Sequence, residues 1–213
     1  MYNASYGTHE SRTITVWGEG AVKASPDTVH IVMSVNSRGM ELNEIQQENA
    51  KRMNNVINSL IALGIPKSSI QTIDYQIRPV YDYVNGEQIF KGYEVVNTIR
   101  ITINDVSKTG ELVDTAVTSG VNQIGSIQFT IQDQDEYYQK ALTLALQDAE
   151  TKMVTIGSSL KLPNRPIPLK IEEQHVSQPV AFRVTTMAEA GVTPIESGTI
   201  TISANLKVKY QMV

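Results

Sequence analysis

The sequence predicts an α+β fold of two layers, with helices on one face of long, mostly antiparallel sheets. Three observations carry that expectation. Apolar residues alternate through Val29, Ile31, Met33 and Val35, and again through Ile200, Ile202, Ala204, Leu206, Val208, Tyr210 and Met212, the period of a strand with one buried face. From Glu41 to Leu63 the spacing changes to three and four, through Leu42, Ile45, Met53, Val56, Leu60 and Leu63 with Asn49 in the same stripe, which marks an amphipathic helix. Asn85-Gly86 separates two long apolar arms, Ile70 to Val84 and Ile89 to Ile103, and both turn residues tolerate the positive φ that a tight hairpin needs.

Residues 1–11 are polar and expected to fray. Ile14-Thr15-Val16-Trp17 opens the first strand, Gly18-Glu19-Gly20 punctuates it, and Pro26-Asp27 marks the next turn. Gly64 stands where a left-handed residue closes the long helix, with Pro66 soon after. That helix is roughly 34 Å long, and the two arms supply a sheet to match. In the second arm Tyr93, Val95, Asn97, Ile99, Ile101 and Ile103 share a face. Asp105 is the expected N-cap of a short helix through Val106, Val113, Ala116 and Val117, closed by Gly120. Ile127, Phe129 and Ile131 form a further strand. Asp135 is expected to cap a third helix reaching about Leu160, whose stripe is Ala141, Leu142, Ala145, Ala149, Met153, Ile156 and Leu160. Its alanines at spacing four permit a close backbone approach to a sheet. Pro163 to Pro168 is a stiff linker and Leu169 to Val176 a strand. Residues 177–197 lack periodicity and read as a long loop, with Val180 to Val184 as a candidate strand. The final strand, from Ile200 to Met212, spans roughly 45 Å.

The element order is β-β-α-β-β followed by α-β-α-β-β. It predicts two intertwined sub-domains, 12–104 and 105–213, which share long strands without a flexible linker; the second is expected to be ferredoxin-like.

Composition narrows the function classes. Apolar residues make up 41% of the 213 and charged residues 19%, the balance of a folded globular chain. Lys and Arg total 18 against 22 Asp and Glu, a net charge of −4 without a basic run, so no nucleic-acid partner is expected. With no cysteine, disulfides, thiolate nucleophiles and cysteine metal sites are excluded. The opening residues have neither a basic start nor an apolar stretch, and no run is long enough to span a bilayer. The chain as written is expected in the cytoplasm, with a periplasmic or extracellular place as the alternative for a trimmed mature form.

Catalytic signals are weak. Gly18-Glu19-Gly20 lacks the Lys-Ser/Thr of a phosphate loop and reads as a turn or bulge. His9, His30 and His175 have no metal-ligand spacing, and no nucleophile elbow occurs. Asp133, Asp135 and Glu136 read as helix capping and dipole placement. No catalytic residue, metal or cofactor is expected. Tyr75, Tyr81 and Tyr83 share parity on one long strand, and Tyr93 lies on the arm beyond the hairpin. Cross-strand packing, a subunit contact and a small-molecule site all fit them. Long strands also leave edges that further copies would cover, while Lys207 and Lys209 discourage random pairing.

Several short pieces stand along the chain in a definite order. Val16-Trp17-Gly18-Glu19-Gly20 and Pro26-Asp27 come first, then Gly64-Ile65 with Ile70-Gln71-Thr72. Tyr75, Pro79, Tyr81, Tyr83, Gly92-Tyr93 and Asn97 follow, and Gly120-Val121-Asn122 leads to Ile127 and Phe129. Ala141-Leu142, Ala145, Asp148-Ala149 and Lys152 lie on the third helix, and Pro194-Ile195, Gly198 and Ala204 close the series. In this order and spacing the chain resembles the bacterial SIMPL-domain family from about Ile14 to Tyr210, as one SIMPL domain. The resemblance implies a two-part α+β fold and a tendency to homo-oligomerise. It also implies a cell-envelope setting, since members are described as periplasmic or surface antigens or are linked to oxidative-stress tolerance. No catalytic residues are established for the family, so none carries over. The chain departs from the family pattern at Ser69, where Asp is usual. The leading expectation is a non-enzymatic homo-oligomer with a protective or scaffolding, stress-related role. A monomeric module that binds a peptide or apolar ligand under a 177–197 lid is the alternative, and a hydrolase assembled from distant segments is the third reading.

Overall fold

The computed structural model describes residues 12–174 and 193–212. His9, His175, the candidate strand at 180–184 and most of the 177–197 loop lie outside the described residues. The strands are β1 (Thr13–Ala24), β2 (Thr28–Gly39), β3 (Ile70–Val84), β4 (Glu87–Ile103), β5 (Gln123–Thr130), β6 (Ile167–Gln174) and β7 (Ile200–Gln211). The helices are α1 (Leu42–Ala62), α2 (Thr109–Ser119) and α3 (Gln134–Ser159). They form two antiparallel sheets, ordered β3-β4-β2-β5 and β1-β7-β6. The α+β class, with helices laid on antiparallel sheets, is as the periodicities predict.

The compact units do not follow the expected boundary at 104/105. One is β2-α1-β3-β4-α2-β5, over residues 25–132 with the described residues 193–199, and the other joins β1 to α3, β6 and β7. The reason is strand pairing: β2 binds β4 on one side and β5 on the other, so the sheet begun before residue 104 is completed after it. The ferredoxin-like β-α-β-β-α-β order belongs to this unit, not to the second half of the chain.

In the 25–132 unit α1 buries Met53, Val56 and Leu60 against Val29, Ile31, Val35, Ile99 and Ile101, and Ile45 is buried beside Gly39. Asn49, the one polar member of that stripe, is fully buried. Its Nδ2 donates to the carbonyls of Val35 at 2.9 Å and Val95 at 3.2 Å, tying α1 to the β2–β4 seam. Gly64 ends α1 at φ +93°, with Ile65 N–H bonded back to Leu60 O. Asp105 caps as expected, though its bond to Ser107 N–H closes a 3-10 turn that precedes α2.

In the other unit, Gly18 and Gly20 sit within continuous strand rather than punctuating it. A Cβ on Gly18 would lie 2.0 Å from Ala145 O, and one on Gly20 would lie 2.0 Å from Ala141 O. The glycines of β1 and the buried alanines of α3 therefore meet backbone to backbone. The cap of α3 is Asp133, whose Oδ1 accepts from Glu136 N–H at 3.2 Å; Asp135 instead stands in the first turn, where the helix dipole favours it.

Candidate functional site: an apolar arm rooted on a buried carboxylate

β2 accompanies β4 only from Ile103 back to Tyr93. Beyond that point β3 and β4 continue as a two-stranded arm, Val80–Val84 against Glu87–Gly92. Its turn is Asn85-Gly86 with φ of 54° and 87°, the hairpin geometry the dipeptide predicts.

Strand alternation places Tyr75, Ile77, Pro79, Tyr81 and Tyr83 on one face of β3. Register adds Phe90, opposite Tyr81, and Tyr93, opposite Pro79. Tyr81 meets Phe90 edge-on at 5.6 Å between ring centroids, and Phe90 meets Tyr93 at 5.2 Å. Tyr75 stands closer to α1, where its hydroxyl accepts from Gln46 Nε2 at 3.4 Å. Phe90 is the link that parity on β3 does not reveal. Tyr83 is 73% exposed and Tyr81 46%. The reverse face of the arm carries Val84 and Ile89, also exposed.

At the root of the arm, Glu94 lies on the helix-free face, directly opposite Arg38 of β2 and Arg78 of β3. Its side chain is fully buried although both arginine side chains are more than half exposed. Arg38 Nε donates to Oε1 at 2.6 Å, Asn36 Nδ2 donates to the same oxygen at 2.9 Å, and Arg78 Nε donates to Oε2. Asn36 is itself fixed by a two-way bridge, its N–H donating to Asn122 Oδ1 at 2.8 Å while Asn122 Nδ2 donates to its carbonyl at 2.7 Å. The Asn36 hydrogen bond and the two arginines outweigh burial and hold the Glu94 carboxyl down at about 2. Glu94 is thus a permanent anion that orients two guanidiniums, and it is unsuited to general acid–base work near neutral pH.

The residues of this clasp come from three strands and share no motif, and only their register joins them. That register turns on one residue. Val84↔Glu87 through Tyr81↔Phe90 pair in step, after which Lys91 is skipped and Val80 pairs with Gly92. Gly92 takes φ +106° beside this bulge, and a Cβ there would lie 2.2 Å from Gly39 O. Were pairing to continue in step with Lys91 opposite Val80, Arg78 would oppose Tyr93 instead of Glu94, and Tyr93 would leave the face of Phe90.

The remaining candidates fall to structural roles. His30 Nδ1 lies 2.9 Å from Thr102 Oγ1 on the helix-free face. Among the described residues no three His, Asp or Glu side chains gather to hold a metal. No helix among them is long and apolar enough to cross a membrane. Lys207 Nζ lies 5.9 Å from the ring centroid of exposed Trp17. Thr193, where the described chain resumes, donates from its N–H to Asp114 Oδ2 at 3.0 Å, anchoring that end of the 177–197 segment on α2.

Comparison with known proteins gives these features a family. The chain is 27% identical over 186 residues to the uncharacterized protein YggE of Escherichia coli K12, covering 86% of this chain and 74% of that protein. It is 27% identical over 157 residues to the 26 kDa periplasmic immunogenic protein of Brucella melitensis, covering 71% of this chain and 63% of that protein. YggE of Edwardsiella ictaluri is 23% identical over 159 residues, covering 74% of this chain and 66% of that protein. The family model SIMPL, described as a protein of unknown function (DUF541), matches residues 14–210, and the chain belongs to that family.

Proposed function

We propose that this protein is a non-enzymatic, self-assembling SIMPL protein whose β3–β4 arm docks on further copies of the chain, in a protective or scaffolding, stress-related role. The carrying observation is the arm itself: a two-stranded ribbon past the end of its sheet, with exposed Tyr81, Tyr83 and Phe90 on one face and Val84 and Ile89 on the other. A lone two-stranded ribbon is marginal in water, and both of its faces gain from burial. The Glu94 clasp at its root stiffens the point where it leaves the sheet, which lowers the entropy lost on docking. Pro79, which has no N–H, stands on the edge strand β3 and disfavours strand addition there. Assembly through side-chain faces fits better than sheet extension. The periplasmic name of the Brucella relative favours a cell-envelope place for this work.

Sedimentation velocity of the purified chain at micromolar concentration tests the reading. The expected result is a discrete oligomer that the double variant Tyr81→Ser, Phe90→Ser converts to monomer with its circular dichroism spectrum retained. A strictly monomeric wild-type chain would sink the proposal.

A further inference from the structure

We propose a ligand site that is separate from the arm: the cleft beside the exit of α1 binds a small organic oxyanion, a carboxylate or phosphate held by Arg100. The cleft has a volume of about 650 Å3, within the range of small-molecule sites. It lies wholly within the 25–132 unit, at the end of β3 opposite the arm, and its lining includes Pro66, Ser69, Gln71, Arg100, Asp105 and Lys108.

Arg100 is the distinguishing residue. Arg38, Arg52, Arg78 and Arg165 each lie against a carboxylate, whereas Arg12 and Arg100 make no ion pair among the described residues, and of these two it is Arg100, in the middle of a strand, that lines the cleft. Register holds it between Gln71 and Val32 on the helix-free face, with its side chain exposed toward the cleft it lines. Lys108 adds a second cation. Its only carboxylate partner among the described residues, Asp105, is 3.9 Å away and already accepts from the N–H and hydroxyl of Ser107. Two cations against one anion leave one positive charge in excess at a concave surface, where an anion can meet both cations at once. The planar guanidinium matches the paired oxygens of a carboxylate or phosphate, and the Ser69 hydroxyl and Gln71 amide offer further donors. Pro66 supplies an apolar wall, so the fitting ligand carries its charge on a compact, partly apolar body.

Isothermal titration of the full chain at low ionic strength, with orthophosphate, phenyl phosphate, acetate and benzoate as probes, separates the two oxyanion sources and tests the apolar wall. At least one probe is expected to bind, with the aromatic member of its pair the tighter. Arg100→Gln should weaken it by about tenfold or more, Lys108→Gln by less, and Lys140→Gln in the other unit not at all. Circular dichroism confirms that the variants fold, and Gln71→Ala, which removes a donor beside Arg100, should also weaken binding of the probe. Absence of binding by all four anions at about 10 mM, or equal affinity in wild type and Arg100→Gln, overturns the proposal. Neither outcome depends on whether the arm assembles.

Discussion

The two units lay a helix on an antiparallel sheet by opposite means. In the 25–132 unit, α1 rests on long and branched side chains, with Met53, Val56 and Leu60 packed against Val29, Ile31, Ile99 and Ile101. In the other, α3 offers Ala141, Ala145 and Ala149, and the strand beneath offers Gly18 and Gly20. The first interface takes its stability from apolar area and can lose a group at a finite cost. The second depends on closeness where the alanines meet Gly18 and Gly20, and there it has little side chain to lose and no room for more. The contrast predicts that adding atoms breaks one unit and removing them weakens the other.

The largest effect should come from Gly20→Val. The new Cβ would stand 2.0 Å from Ala141 O and 2.5 Å from Ala145 N, both backbone atoms that cannot rotate away. A cost of about 4 kcal/mol, above the usual range for overpacking because backbone atoms must move, is expected in urea unfolding followed by circular dichroism. Leu60→Ala is the matching probe of the other unit. Leu60 is fully buried in the larger core, and its truncation should cost about 3 kcal/mol through lost transfer energy and the cavity left behind. If Gly20→Val proved milder than Leu60→Ala, the backbone-contact account of the α3 interface would be wrong.

Glu94 sharpens the contrast from the opposite face of the 25–132 sheet. Its carboxyl is lowered from 4.5 to about 2 in the folded protein, chiefly by the Asn36 hydrogen bond and then by Arg78 and Arg38. A carboxyl depressed by folding contributes stability above its unfolded value, and that contribution fades as pH falls from about 4.5 to about 2. Because both guanidiniums face water, the contribution is discounted to about 1 kcal/mol. The stability difference between wild type and Glu94→Gln, read from urea midpoints, should be present at pH 6 and shrink across that window. A difference that stays constant down to pH 2.5 would assign the clasp a purely steric role.

What the sequence discloses follows the range of the interaction. Helix stripes, the Asn85-Gly86 turn and strand parity are local, and α1, the hairpin and β7 emerge from them with small shifts of boundary. The alanine spacing of α3 correctly implies a close approach, but Gly18 and Gly20 look like punctuation until the helix that presses on them is placed. The unit boundary is hidden because β5 returns to the far side of β2, a pairing that no nearby residue announces. In the candidate site, Tyr75, Tyr81 and Tyr83 are legible by parity alone. Phe90 and the Arg38–Glu94–Arg78 row are not, since an unmarked bulge at Lys91 decides which side chains share a face. Asn49 is visible as a polar interruption of an apolar stripe, yet its carbonyl partners on β2 and β4 appear only in three dimensions.

The smallest predicted effect is local and separates the units by how they treat an edge. β1 is an edge strand, and α3 covers part of it with an i,i+4 pair. Asp148 Oδ2 accepts from Glu19 N–H at 2.9 Å, and Lys152 Nζ donates to Trp17 O at 2.9 Å while bonding Asp148 at 2.7 Å. These side chains occupy backbone groups on either side of Gly18 that would otherwise be open to another strand. The Lys152 hydrogen bond first, and the Glu19 amide second, hold the Asp148 carboxyl below its usual range. Asp148→Ala should leave global unfolding nearly unchanged but speed amide hydrogen exchange at Glu19, with no change at Ile99 in the other sheet. Lowering the pH through the carboxylate range should accelerate the wild-type Glu19 amide relative to the variant, because protonation removes the acceptor charge. Equal Glu19 exchange in the two proteins would show that α3 shields β1 through its backbone approach alone, and the edge cover would then belong to Gly18 and its alanine partners rather than to the charged pair.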